Sequence, residues 1–161
     1  MNGRTHHRIG LISDTHKLLR PEAHDFLRGS ELIVHAGDLV TPDVLEPLRE
    51  LAPVVAVRGN NDRGEWAMAL QETECVTVAG VQILVIHDLA DLRRLGIDPA
   101  REGVRVVVSG HSHKPRVEER SGVLYVNPGS AGPRRFSLPV TVAELMITAG
   151  GAVTARVVAL I

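Results

Sequence analysis

The sequence predicts an α/β fold in which two sheets pack face to face with helices outside. Three observations lead there. Residues 8–57 alternate short apolar runs with helical stretches in the order strand, helix, strand, helix, strand, the layout of a right-handed parallel unit. Residues 73–161 read mainly as strands joined by short glycine-containing turns. The chain has 161 residues, 44% of them apolar, which is enough for one substantial core and leaves little room for a second. A single domain over 1–161 is therefore expected.

Each element has a local reason. Ile9, Leu11 and Ile12 make residues 8–13 a buried strand that runs into Asp14-Thr15-His16. Pro21 near the start of residues 21–28 suits a helix N-terminus. Residues 31–35 form a second apolar strand, ending in His35-Ala36-Gly37-Asp38. Thr41 caps a helix predicted over 42–51, with Pro42 at its first position and Asp43 in its first turn. Residues 53–57 are a third strand, leading to Arg58-Gly59-Asn60-Asn61-Asp62. A short helix follows over 65–70, where Trp66 reads as a packing residue. Residues 73–78 and 81–86 flank Ala79-Gly80 as a hairpin whose second strand ends at His87-Asp88. Residues 88–100 read as a loop with a short helix, the Arg93-Arg94 pair lying on a solvated face. The apolar strand 104–109 then opens into Gly110-His111-Ser112-His113. A hairpin over 115–120 and 123–126, the tight loop Asn127-Pro128-Gly129-Ser130, and a closing antiparallel hairpin over 139–147 and 152–161 complete the chain.

Composition narrows the function. Aromatic residues make up only 2%, and the formal net charge is −1, so neither base stacking nor a basic surface favours nucleic-acid binding. Cys75 is the only cysteine, which excludes an internal disulfide and a thiolate metal cage. The polar first residues lack the apolar segment of a secretory signal, and no apolar run approaches about 18 residues. A cytoplasmic protein without membrane partners is expected. His6 and His7 read as part of a disordered polar terminus, and His24 as a surface helix residue.

Polar residues recur where buried strands end. In isolation each has a plain structural reading: Asp14 could cap the next helix beside a surface His16, and Asn60-Asn61-Asp62 could be an ordinary turn. In an extended segment His111 and His113, at i and i+2, would share one side of the backbone, roughly 6.5–7 Å apart at the Cα level. Jointly, Asp14, His16, Asp38, Asn60, His87, His111 and His113 all stand at carboxyl ends of strands, where open α/β sheets gather their sites. Imidazole with carboxylate or amide oxygen suits Mn²⁺, Ni²⁺, Fe or Zn²⁺.

The ordered set Asp14-x-His16, Gly37-Asp38, Gly59-Asn60-Asn61-Asp62, His87 and Gly110-His111-Ser112-His113 resembles the calcineurin-like metallophosphoesterases. The likeness is greatest to the small single-domain YfcE-like phosphodiesterases, which the loop at Asn127 followed by Pro133-Arg134 also resembles. The resemblance implies a four-layer α/β/β/α sandwich and a site for two divalent ions, with Mn²⁺ preferred and Ni²⁺, Fe or Zn²⁺ as alternatives. It implies that Asp14, His16 and His113 hold one ion and Asn60, His87 and His111 the other, with Asp38 between them. It further implies a phosphodiesterase that hydrolyses small phosphate esters by attack of a metal-bridging hydroxide, with Asp38, Asn61 and His111 around the reacting centre.

Three positions depart from the pattern. Many relatives carry a leaving-group histidine where this chain has Asn61, and an amide has no proton to give at neutral pH. Good leaving groups should therefore be favoured, since general-acid help is typically worth ~10²–10⁴-fold. Lys17 stands where glycine is common and reads as a solvated lysine, and Asp88 follows His87 where Gly-His is frequent. His35 is expected to hydrogen-bond behind the ligands rather than ligate. The alternative to an enzyme is a catalytically silent protein-interaction scaffold on the same fold, as in the retromer subunit that resembles these enzymes. A nuclease or phosphoprotein phosphatase would need groove-forming segments for which the chain has no length. A homo-oligomer is compatible with the exposed hairpin edges.

Overall fold

The computed structural model describes residues 5–161, so the polar residues 1–4 lie outside it. In chain order the elements are β1 (His6–Ile12), α1 (Pro21–Leu27), β2 (Leu32–His35), a 3₁₀ turn (Pro42–Val44) running into α2 (Leu45–Arg49), and β3 (Val54–Ala56). There follow α3 (Glu65–Met68), β4 (Thr73–Val78), β5 (Val81–Ile86), α4 (Asp91–Leu95), β6 (Val106–Val108), β7 (Arg116–Arg120), β8 (Val123–Asn127), β9 (Thr141–Thr148) and β10 (Val153–Ala159).

The first sheet is five-stranded in the order β10-β9-β1-β2-β3, and β1, β2 and β3 run parallel as predicted. The closing hairpin completes it, β9 lying antiparallel against β1. The second sheet has the order β4-β5-β6-β8-β7, with β6 parallel to both β5 and β8. Alternation along the strands sends Ile9, Leu11 and Val34 of one sheet against Ile83, Val85, Val106 and Val108 of the other, making the central core. The outer face of the first sheet buries Ile12 and Ile33 beneath Ala23, Leu27 and Leu48 of the helices. The outer face of the second buries Leu84, Ile86 and Val107 beneath Leu89 and Leu92. This is the expected four-layer α/β/β/α sandwich.

Two local readings change. His6 and His7 belong to β1, paired with Thr148 and Ile147, and His7 Nδ1 lies 2.8 Å from the Glu31 carboxylate. The helix predicted over 42–51 divides because Pro47 has no N–H to donate. A 3₁₀ turn precedes it, and Pro47 falls in the first turn of α2, where its missing N–H costs little. Trp66 packs against the helix-side core, as expected. Among the described residues no helix is long and apolar enough to cross a membrane.

Candidate metal centre

The carboxyl ends of β1, β2, β3, β5 and β6 open onto one edge of the sandwich, and the loops there are laced together by backbone bonds. Asp14 N donates to Gly37 O at 3.0 Å, His16 N to Asp38 O at 3.0 Å, and Gly110 N to His87 O at 2.9 Å. Five of the seven proposed ligands have positive φ: Asp14 at 54°, His16 at 44°, Asp38 at 61°, His111 at 70° and His113 at 63°. That region is uncommon for side-chain-bearing residues, and Asp and His are among those that tolerate it best. Such strain persists only where the surroundings over-determine it. Two glycines permit the approach: a Cβ at Gly110 would overlap Ser13 Oγ, and one at Gly59 would overlap Asp38.

The seven residues form two groups on either side of Asp38. In the first, Asp14 is fully buried. Its Oδ2 accepts from Ser13 Oγ at 2.7 Å and from His111 N at 3.1 Å, whereas Oδ1 has no hydrogen-bond partner among the described residues. Three imidazole Nε2 atoms surround Oδ1, from His113 at 3.4 Å and from His16 and His87 at 3.9 Å. His16 Nε2 is likewise buried without a partner. In the second group Asn60 Oδ1 lies 3.0 Å from His87 Nε2 and 3.2 Å from His111 Nδ1. Asp38 Oδ2 stands between the groups, 3.6 Å from His16 Nε2 and 3.4 Å from His87 Nε2.

These donors fit divalent cations. Atoms bound ~2.0–2.2 Å from one ion lie roughly 3.0–3.6 Å from each other, close to the spacings seen. His87 Nδ1 donates to Ala36 O at 2.7 Å, so in the neutral ring the Nε2 lone pair faces two oxygens and needs a cation or a proton between them. In the metal-free protein the proton takes that place. Burial alone would lower the His87 pKa, but Asp38 and Asp14 raise it to about 9. Burial would raise the pKa of Asp38, and the His87 bond together with the Asn61 N–H groups instead hold it well below the usual carboxylate range. Burial lowers the pKa of His16, against the opposing pull of Asp38 and Asp14.

His35 does not reach the donors. Its Nδ1 accepts from Gly37 N at 3.1 Å and its Nε2 lies 3.1 Å from Thr15 Oγ1, so the buried ring pins two ligand-bearing loops from behind. Asn61 uses its amide on Asp38, with N to Oδ1 and Nδ2 to Oδ2 both at 2.9 Å. Lys17 is exposed, and its φ of 74° gives glycine a physical advantage there.

Sequence reasoning names two further acids, Asp62 and Asp88, without giving either a role. Asp62 is buried and accepts from Asp38 N at 2.9 Å, Gly59 N at 2.7 Å and Val40 N at 2.7 Å, fixing the second and third loops together. Asp88 Oδ2 lies 3.6 Å from His111 Nε2, on the far side of the ring from Asn60. The Asn-Asn-Asp run could have identified Asp62, because Asp side chains in turns commonly accept from nearby backbone N–H groups. Nothing local pairs Asp88 with a histidine more than twenty residues away.

The fold and donor set define a metallophosphoesterase-type centre. The model of the "Calcineurin-like phosphoesterase superfamily domain" matches residues 8–150, and the chain belongs to that superfamily. A probable metallophosphoesterase of Methanothermobacter thermautotrophicus is 38% identical over 143 residues, covering 81% of each chain. A structure described as a novel archaeal phosphodiesterase superposes with a TM-score of 0.74 at 25% identity, covering 94% of this chain and 99% of that one. Vacuolar Protein Sorting 29 of Cryptosporidium parvum shares the fold, with a TM-score of 0.75, 18% identity and coverage of 97% and 100%.

Proposed function

We propose that the chain works in the cytoplasm as a single-domain, dinuclear metal-dependent phosphodiesterase on small phosphate esters. The observation that carries this reading is the convergence of two donor groups on Asp38 Oδ2, with Asp14 Oδ1 and His16 Nε2 buried and unpartnered. Asp14, His16 and His113 would hold one ion and Asn60, His87 and His111 the other, with Asp38 shared; Mn²⁺ is the preferred ion, then Ni²⁺, Fe or Zn²⁺. Such a pair supplies Lewis acidity toward phosphoryl oxygens and lowers the pKa of water. The protein's own part is to hold these donors before the metal arrives. Asn61 clamps both Asp38 oxygens, Asp62 fixes the Asp38 backbone, and Asp88 steadies the outer side of His111. Asn61 has no proton for a departing alkoxide, so aryl and other good leaving groups are favoured.

The test is hydrolysis of bis(p-nitrophenyl) phosphate by metal-stripped protein with Mn²⁺, Ni²⁺, Zn²⁺ or Mg²⁺ restored. Mn²⁺ is expected to restore p-nitrophenolate release. Background rates with every metal would overturn the reading in favour of a silent scaffold, the alternative that the Vacuolar Protein Sorting 29 likeness keeps in view.

A further inference from the structure

Beside the exposed ring of His111 lies a cavity of about 410 Å³ that the mechanism above does not use. Asp88 and His111 form its inner wall, and Leu89, Pro115 and Tyr125 give it apolar sides. Its origin lies in the layering. Leu89, Leu92 and Ile97 cover Leu84, Ile86 and Val107 of the second sheet, and Tyr125 is the half-buried open end of that cluster. The Arg120 guanidinium packs over the Tyr125 ring at 4.7 Å and holds it in place. Lys114, exposed at the rim, makes that mouth favourable to an anion or a π-electron cloud. A concave, mainly apolar space with a few polar groups, in this size range, is the usual form of a small-molecule site.

Its position relative to the metal centre suggests the occupant. His111 belongs to both, with Nδ1 turned to Asn60 and Nε2 toward Asp88 at the cavity wall. A phosphoryl group held among the donors would thus share the His111 ring with the space that Tyr125 and Leu89 line. We propose that this cavity is the subsite for an aromatic, nucleoside-sized arm of the substrate ester, with Tyr125 and Leu89 as specificity-determining residues. The proposal rests on the phosphodiesterase reading and adds the substrate class. A methyl or short alkyl arm would leave the cavity wet, whereas a planar ring would replace that water with apolar contact. Burying about 100 Å² of ring surface is worth roughly tenfold or more in binding.

Tyr125 is the only tyrosine in the chain, so ring-labelled tyrosine gives one reporter inside the cavity. Full-length protein loaded with diamagnetic Zn²⁺ would be titrated with phenyl phosphate and separately with methyl phosphate, following the Tyr125 ring signals by NMR. Phenyl phosphate alone is expected to shift them, and Leu89→Trp, which fills the space, to abolish the shift. Equal shifts, or none at saturation, overturn the proposal. A kinetic arm uses two diesters with the same leaving group, bis(p-nitrophenyl) phosphate and methyl p-nitrophenyl phosphate. Their ratio of kcat/KM, divided by the ratio of their hydroxide-promoted hydrolysis rates to correct for the second p-nitrophenyl group, is expected to be roughly tenfold or more in the wild type and to fall toward one in Leu89→Trp and Tyr125→Ser. A wild-type ratio near one counts against it. Absence of turnover with every metal would sink the phosphodiesterase reading alone, because the Tyr125 signal reports the subsite without catalysis.

Discussion

The two halves of the proposed metal centre are built differently. The group around Asp14 is buried, has three polar atoms without partners among the described residues, Asp14 Oδ1, His16 Nε2 and His113 Nδ1, and stands on a backbone strained at Asp14, His16 and His113. The group around Asn60 is more open: Asn60 is exposed and the His111 side chain is 45% exposed, His87 alone being buried, and of Asn60, His87 and His111 only His111 has positive φ. Desolvated, pre-positioned donors hold a cation tightly, because the energetic cost of gathering them is met by folding rather than by binding. Exposed donors can exchange their ion and admit substrate. On the proposed two-ion reading the first half suits retention of its ion and the second suits access, with Asp38 common to both.

The largest expected effect comes from the shared residue. Asp38→Ala should reduce phosphodiester hydrolysis to the metal-free level and lower bound metal from two ions toward one or none, measured by metal analysis after dialysis. Asn61→Ala, which removes the Nδ2 bond to Asp38 Oδ2 and keeps the backbone N–H bond to Oδ1, should cost ~10–100-fold and be relieved by excess metal. Equal losses would mean that Asp38 is not shared.

A second experiment separates the halves directly. His111→Gly should lose most activity and recover part of it with added imidazole, because the vacated place is open to solvent. His113→Gly should lose as much and recover none, since His113 is buried beside Asp14. Rescue of both, or of neither, would erase the distinction between the two groups.

How much of this was legible depended on the kind of interaction. Asp14, Asp38, His87 and the His111/His113 pair stand out because a polar residue directly after a buried apolar run needs a reason. The parallel β1-β2-β3 unit was legible because its connections are short. The insertion of β9 beside β1 was not, since it joins residues 6–11 to 143–148 and no local pattern encodes a partner so distant. The same limit hid Asp88. His6 and His7 were misread because two polar residues at a chain end look unpaired until β9 arrives to bond them. Asp62 was concealed in another way, since its carboxylate serves backbone N–H groups, which every residue except proline possesses.

His35 links the buried half to pH. Its ring is neutral and fully enclosed, accepting from Gly37 N, and burial lowers its pKa from 6.5 to about 4. The unfolded chain therefore binds the proton first, so the His35 contribution to stability is complete above pH 6.5 and is lost as pH falls from 6.5 toward 4. The lost contribution is of order 3 kcal/mol. Urea unfolding of metal-free protein should show this slope, and His35→Gln should flatten it in that window. An unchanged slope would remove His35 from the account. Asp88→Asn acts on the open half instead. It should weaken metal-dependent activity about tenfold by loosening His111, an effect absent in a His111→Gly background.

The smallest effect tests whether the strain itself matters. Lys17 follows His16 with φ of 74°, its N–H bonded to Leu39 O at 2.9 Å and its side chain in solvent. A left-handed residue bearing a Cβ costs about 1–2 kcal/mol, while glycine adds roughly 0.4–1 kcal/mol of unfolded-state entropy. Lys17→Gly should therefore stabilise the protein by a few tenths to about 1 kcal/mol, with kcat/KM within twofold of wild type. The comparison is sharpened because Asp14 and His16 carry the same backbone strain but cannot shed it without losing their donors. A stabilised, fully active Lys17→Gly would show that the left-handed backbone is required at this loop while the lysine is not. A destabilised one would mean that the lysine side chain supports the buried half through contacts that its exposure does not suggest.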